Sequence, residues 1–141
     1  EIGDKDTDIF NCTRGIRATT TTGFVSVLVE NTAFQNNNQD GIKLETGGFA
    51  SVRDSIISLN ATGVNVTGGG NSGANLIGTM VVGNSLVGLN ANNNTCRIGG
   101  STFIGNTTGI SQSAANTVKT FGDNNIADPV SGGVIQLIPQ Q

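Results

Sequence analysis

The chain has 141 residues with a formal net charge of −3, and 12% of its residues are charged, 35% are hydrophobic and 21 are glycine. That length suits one domain, and the apolar-plus-glycine share belongs to a folding chain, not to a disordered one. Seven Lys and Arg against ten acids are too few for the concentrated basic face that nucleic acid requires, and the longest apolar runs, such as Met80-Val81-Val82, fall far short of the ~18 residues of a membrane span. No signal peptide is visible at Glu1, which fits a mature or trimmed chain as well as a cytosolic one.

Taken in chain order, the predicted elements repeat. The first unit carries Ile9, Asn11 and Gly15-Ile16; the second carries Val29, Phe34, Asn38 and Gly41-Ile42. The third has Val52, Ile57, Asn60 and Gly63-Val64, and the fourth has Ile77, Val82, Asn84 and Gly88-Leu89. The fifth has Ile98, Phe103, Asn106 and Gly109-Ile110, and a degenerate sixth runs from Val118 to Ile126. The Gly-aliphatic pair thus recurs at intervals of 26, 22, 25 and 21 residues. Pairs such as Val27 and Val29, Ile42 and Leu44, and Val64 and Val66 stand two apart, the spacing of side chains on one face of a strand. Sustained helical spacing is missing, since Gly and Asn interrupt each candidate window. An antiparallel meander would reverse alternate strands, and a whole-turn motif would not recur in one orientation.

A short turn cannot bury its apolar face alone, whereas stacked turns share one core. The expectation is therefore an all-β, right-handed parallel β-helix, a solenoid of about five to six coils with three short strands per coil. Residues 1–128 form the repeats, and residues 129–141 a C-terminal tail or end-covering strand. Asn11, Asn38, Asn60, Asn84 and Asn106 are expected to form a structural ladder of amide hydrogen bonds, and the repeated Gly to serve at a positive φ or a tight turn. Uncapped coil ends and the apolar tail Val134–Ile138 make self-association an expected behaviour.

The segments Val52-Arg53-Asp54-Ser55-Ile56-Ile57-Ser58-Leu59-Asn60-Ala61-Thr62-Gly63-Val64 and Ile98-Gly99-Gly100-Ser101-Thr102-Phe103-Ile104-Gly105-Asn106-Thr107-Thr108-Gly109-Ile110 resemble the right-handed parallel β-helix repeats of the pectate-lyase-like superfamily. The resemblance implies a secreted or cell-surface bacterial protein of extracellular or periplasmic location. Polygalacturonase-like relatives use clustered Asp with a His and an Arg-x-Lys element, and pectate lyases use acids around calcium with an Arg or Lys base. This chain has no His, and its mid-chain acids Asp40, Glu45 and Asp54 do not share a column. Tyr and Trp, the usual flat rings of sugar clefts, are absent. The expected function is therefore a non-catalytic structural, adhesive or glycan-binding role without catalytic residues, metal or cofactor. The alternatives are a pectate-lyase-like enzyme or its inactive relative, and a fragment of a phage tail fibre or spike.

Charged positions give the binding candidates. Lys5, Glu30 and Arg53 align as a ladder of alternating sign, which supports neighbouring strands, and Arg14 aligns with Asp40. Arg17 and Lys43 stack as like charges, so Arg14, Arg17 and Lys43 are the candidates for an anion or acidic-glycan site. The blander account lets the long side chains splay into water or pair with Glu45. Cys12 and Cys96 lie four turns apart, roughly 19 Å at ~4.8 Å per turn, so no internal disulfide is expected. Cys96 reads as a small core residue and Cys12 as the exposed thiol. Asn-x-Ser/Thr sites at Asn11, Asn60, Asn65, Asn93 and Asn106 match the glycosylation pattern, although turn chemistry alone accounts for them.

Overall fold

The computed structural model describes residues 7–69, 71–92, 94–114 and 117–139. The first coil holds β1 (Thr7–Phe10), β2 (Arg14–Ala18) and β3 (Val25–Glu30), and the second holds β4 (Thr32–Gln35), β5 (Asp40–Leu44) and β6 (Gly48–Arg53). The third has β7 (Ile56–Ser58), β8 (Thr62–Val66) and β9 (Gly73–Ile77), and the fourth β10 (Met80–Val82), β11 (Val87–Ala91) and β12 (Thr95–Gly99). The fifth has β13 (Thr102–Ile104), β14 (Thr108–Gln112) and β15 (Val118–Thr120). A shortened sixth is built from β16 (Asn125–Ile126), β17 (Val130–Ser131) and β18 (Gln136–Leu137). Each strand pairs in parallel with its counterpart one coil away, giving three six-stranded sheets: A through β1, B through β2 and C through β3. The chain is a parallel solenoid of five full coils and a stub.

The core is a set of vertical files. On sheet B, Ile16, Ile42, Val64, Leu89, Ile110 and Val130 stand in register. Ile42, Val64, Leu89 and Ile110 are wholly buried. Sheet C contributes Val27, Ala50, Ala74, Cys96 and Val118. Alternation along each strand buries one face and exposes the other, because successive side chains point to opposite sides.

Three expected alignments shift by one or two residues. The sheet A file runs Ile9, Phe34, Ile57, Val81, Phe103 and Ile126, so Val81, and not Val82, enters the core. The second sheet C file runs Val29, Val52, Leu76, Ile98 and Thr120, so Leu76 replaces Ile77, and Val118 belongs to the neighbouring file. A shift of one residue turns a side chain to the opposite face, and in each pair of adjacent apolar residues only register decides which one is inside. Lys5 lies outside the described residues, while Glu30 and Arg53 sit opposite each other. Residues 129–139 continue the coil: β17 pairs with β14 and β18 with β15.

The repeated glycines have a different cause from the one expected. Gly15, Gly41, Gly63, Gly88 and Gly109 are absent from the residues with positive φ. A Cβ at Gly63 would lie 2.6 Å from the Gly88 carbonyl oxygen, and one at Gly88 would lie 2.6 Å from that of Gly109. The file is glycine because successive coils approach too closely there for a side chain. Left-handed residues instead mark the corners around sheet A. One corner has Asn11, Asn36, Leu59, Gly83 and Gly105, and the other has Asn31, Asp54, Gly78 and Gly100. Asn, Asp and Gly tolerate that conformation, whereas Leu59 at φ 57° carries steric strain.

Candidate functional site

The corner between sheets A and B holds a buried polar ladder. Asn37, Asn60, Asn84 and Asn106 are 1–5% exposed. The Oδ1 of Asn60 accepts from the backbone N–H and the side-chain amide of Asn37, each at 3.0 Å. Asn84 accepts in the same way from Asn60 (3.0 and 3.1 Å), and Asn106 from Asn84 (3.0 and 2.8 Å). Each Nδ2 also donates to a strand carbonyl of the preceding coil, those of Ile9, Phe34, Ile57 and Val81 in turn. Every amide group in the row is thereby satisfied, as buried polar groups must be.

Two expected members are not in this row. Asn37, and not Asn38, occupies the second rung, and Asn38 is exposed. Cys12 stands where Asn11 was expected, donating its backbone N–H to Asn37 Oδ1 at 3.0 Å, while the exposed Asn11 accepts from Asn36 Nδ2 at 2.7 Å. The spacing from Asn to Gly is three or four residues, so a run of three asparagines leaves the rung ambiguous until backbone pairing chooses it. Asp128 was missed altogether, because no Asn or Gly marks it. Its carboxylate ends the row, accepting from Asn106 Nδ2 at 2.7 Å, Asn106 N–H at 3.0 Å and Gly105 N–H at 2.8 Å. The bonds from one side chain of the row to the next all run towards the C-terminal end, and an acceptor-only, negatively charged group completes the series as an anion completes a helix N-terminus.

The opposite corner of sheet A carries a second polar file. Ser55 Oγ accepts from Thr32 N–H (3.2 Å), Ser101 Oγ from Thr79 N–H (3.2 Å), and Asn124 Oδ1 from Ser101 N–H (2.8 Å). Short hydroxyls fit here because they also return a bond to the carbonyl two residues before, at Arg53 and Gly99.

On the outward side of sheet B, the Asp40 carboxylate accepts from Arg14 Nε at 3.0 Å and Asn65 Nδ2 at 2.7 Å, and Asn65 Oδ1 accepts from Asn90 Nδ2 at 3.0 Å. Arg17 donates to Glu45 at 2.7 Å. Lys43 sits beside Arg17 in register without an ion-pair partner among the described residues. The structure therefore brings Arg14, Arg17 and Lys43 to one face but ties two of them to carboxylates. An incoming anion would have to displace Asp40, whose side chain is only 7% exposed, and Glu45.

Both cysteines are free. Cys96 is wholly buried, and desolvation pushes its thiol up to about 12, so it stays protonated and unreactive near neutral pH. The exposed Cys12 directs its Sγ at the Phe10 carbonyl, 3.4 Å away. Of the glycosylation-type sites, Asn60 and Asn106 are ladder rungs and Asn65 belongs to the sheet B row, while Asn93 lies outside the described residues.

Sheet A presents two adjoining grooves of about 370 and 290 Å³ over its first three strands, with Asp8 and Gln35 common to both. Among the described residues, no helix is long and apolar enough to cross a membrane. Comparison with family models, with curated proteins and with solved structures returned no match.

Proposed function

We propose that this chain is a non-catalytic rod of a secreted or surface-exposed protein, with a structural and adhesive role in which glycans are the ligands. One observation carries this reading. The buried polar groups at the A–B corner are spent on one another, from Cys12 N–H through four asparagines to Asp128. Acid–base or nucleophilic catalysis needs polar groups held ready to exchange protons with a substrate, and a saturated row of amides performs no such exchange. Its effect is to lock coil to coil, which suits a stiff scaffold. The likeness of the repeats to the pectate-lyase-like superfamily supports the same setting.

The test is to incubate the protein with polygalacturonate and calcium, follow 4,5-unsaturated uronide by absorbance, and pass the protein over a panel of immobilised polysaccharides. The expected result is no unsaturated product and retention on at least one surface. Sustained product formation, or retention on none, overturns the reading.

A further inference from the structure

The adhesive reading leaves open where a glycan would sit. Resting on that reading, the geometry points to the outward face of β1, β4 and β7 as the binding site for a glycan that lacks carboxylate and sulfate groups. Two outward files cross these strands, Asp8–Ala33–Ile56 and Phe10–Gln35–Ser58. Ala33 is the shortest side chain of its file, so it leaves a trough along β4. Asp8, Ala33, Gln35, Asp54 and Ile56 line the larger groove, and Asp8, Phe10 and Gln35 line the adjoining one. Four residues of strand give a trough of roughly 13 Å at ~3.3 Å per residue, long enough for a short oligosaccharide.

The chemistry of the lining selects the ligand. Phe10 is 58% and Ile56 43% exposed, and such apolar surface at the rim of a polar trough suits the C–H face of a sugar ring. Among the described residues, no side chain or backbone group is hydrogen-bonded to the side chains of Asp8, Gln35 or Asp54. Their capacity is unspent, in contrast to Asp40, Asn65 and Asn90 on sheet B. Carboxylates accept from adjacent sugar hydroxyls, and the Gln35 amide both donates and accepts. No Lys or Arg among the described residues lines the trough. A uronate or sulfate would therefore meet two carboxylates with no compensating cation among the described residues, a like-charge arrangement that disfavours it. This differs in place and in charge from the anion site suggested by Arg14, Arg17 and Lys43.

The experiment titrates the intact protein with cellotriose, mannotriose, chitotriose and trigalacturonate, with and without EDTA, by heteronuclear NMR or calorimetry. At least one of the uncharged trisaccharides is expected to bind, with shifts centred on β4 and no change on adding EDTA. Ala33→Gln, which fills the trough, and Phe10→Ala are each expected to weaken it at least tenfold, whereas Lys43→Ala leaves it unchanged. Matching unfolding midpoints show that the variants remain folded. Binding of trigalacturonate alone, binding lost with EDTA, binding indifferent to Ala33→Gln and Phe10→Ala, or no binding of any trisaccharide overturns the inference. Retention on the polysaccharide panel that survives both trough variants defeats this site and leaves the adhesive reading standing.

Discussion

Two rows of asparagine climb the same solenoid a few residues apart, and they differ in burial, in bond count and in direction. In the inner row, the Oδ1 atoms of Asn60, Asn84 and Asn106 each accept twice and each Nδ2 donates twice, once back to a strand carbonyl and once to the next side chain towards the C-terminal end. In the outer row, Asn65 and Asn90 are half-buried, each step is one bond, and the donors point to the N-terminal end. Both rows finish on an aspartate at the receiving end, Asp128 inside and Asp40 outside. The last group of such a row has only to accept, and a carboxylate does this without an unmatched donor. The comparison teaches that the same side chain is a structural necessity where water is excluded and an accessory where water can replace its partner.

Substitution tests that contrast directly. Asn84→Ala is expected to have the largest effect, about 2–4 kcal/mol in denaturant unfolding, because it orphans the N–H of Asn60 and removes one bond each from Asn60 Nδ2 and the Ile57 carbonyl in a dry corner. Gly63→Ala tests the close approach behind the inner row: a Cβ 2.6 Å from the Gly88 oxygen should cost about 1–3 kcal/mol, read as a lowered denaturation midpoint with an unchanged slope. Leu59→Gly, one residue before an inner rung, should raise stability by up to about 1 kcal/mol by relieving its left-handed strain, visible as a higher thermal midpoint. Asn90→Ala should have the smallest effect, within about 0.5 kcal/mol. If Asn90→Ala costs as much as Asn84→Ala in the same unfolding assay, burial is not what separates the two rows.

The sheet B file of Ile16, Ile42, Val64, Leu89 and Ile110 was legible before any coordinates, because a Gly immediately before each residue anchors the alignment. The outer pairing of Arg14 with Asp40 followed from the same anchor. Alignment failed where similar residues are adjacent: Asn37 beside Asn38, Val81 beside Val82, and Leu76 beside Ile77. Composition cannot choose between such neighbours, and the variable spacing between Asn and Gly removes the count that would. Asp128 was invisible for another reason, since it performs the work of an asparagine without belonging to the repeat. The trough on sheet A left no periodic trace either, because Asp8, Ala33 and Gln35 face outward, where the core imposes no pattern.

The sequence alone determined that short strands recur in one orientation and share a stacked core, because a motif repeated without reversal admits only parallel stacking. Tertiary structure decided which of two neighbouring residues turns inward, where each asparagine row ends, and why the repeated Gly must lack a side chain. Those outcomes depend on backbone register between coils some twenty-odd residues apart. With a side-chain period of two, one residue of register separates a buried rung from an exposed loop.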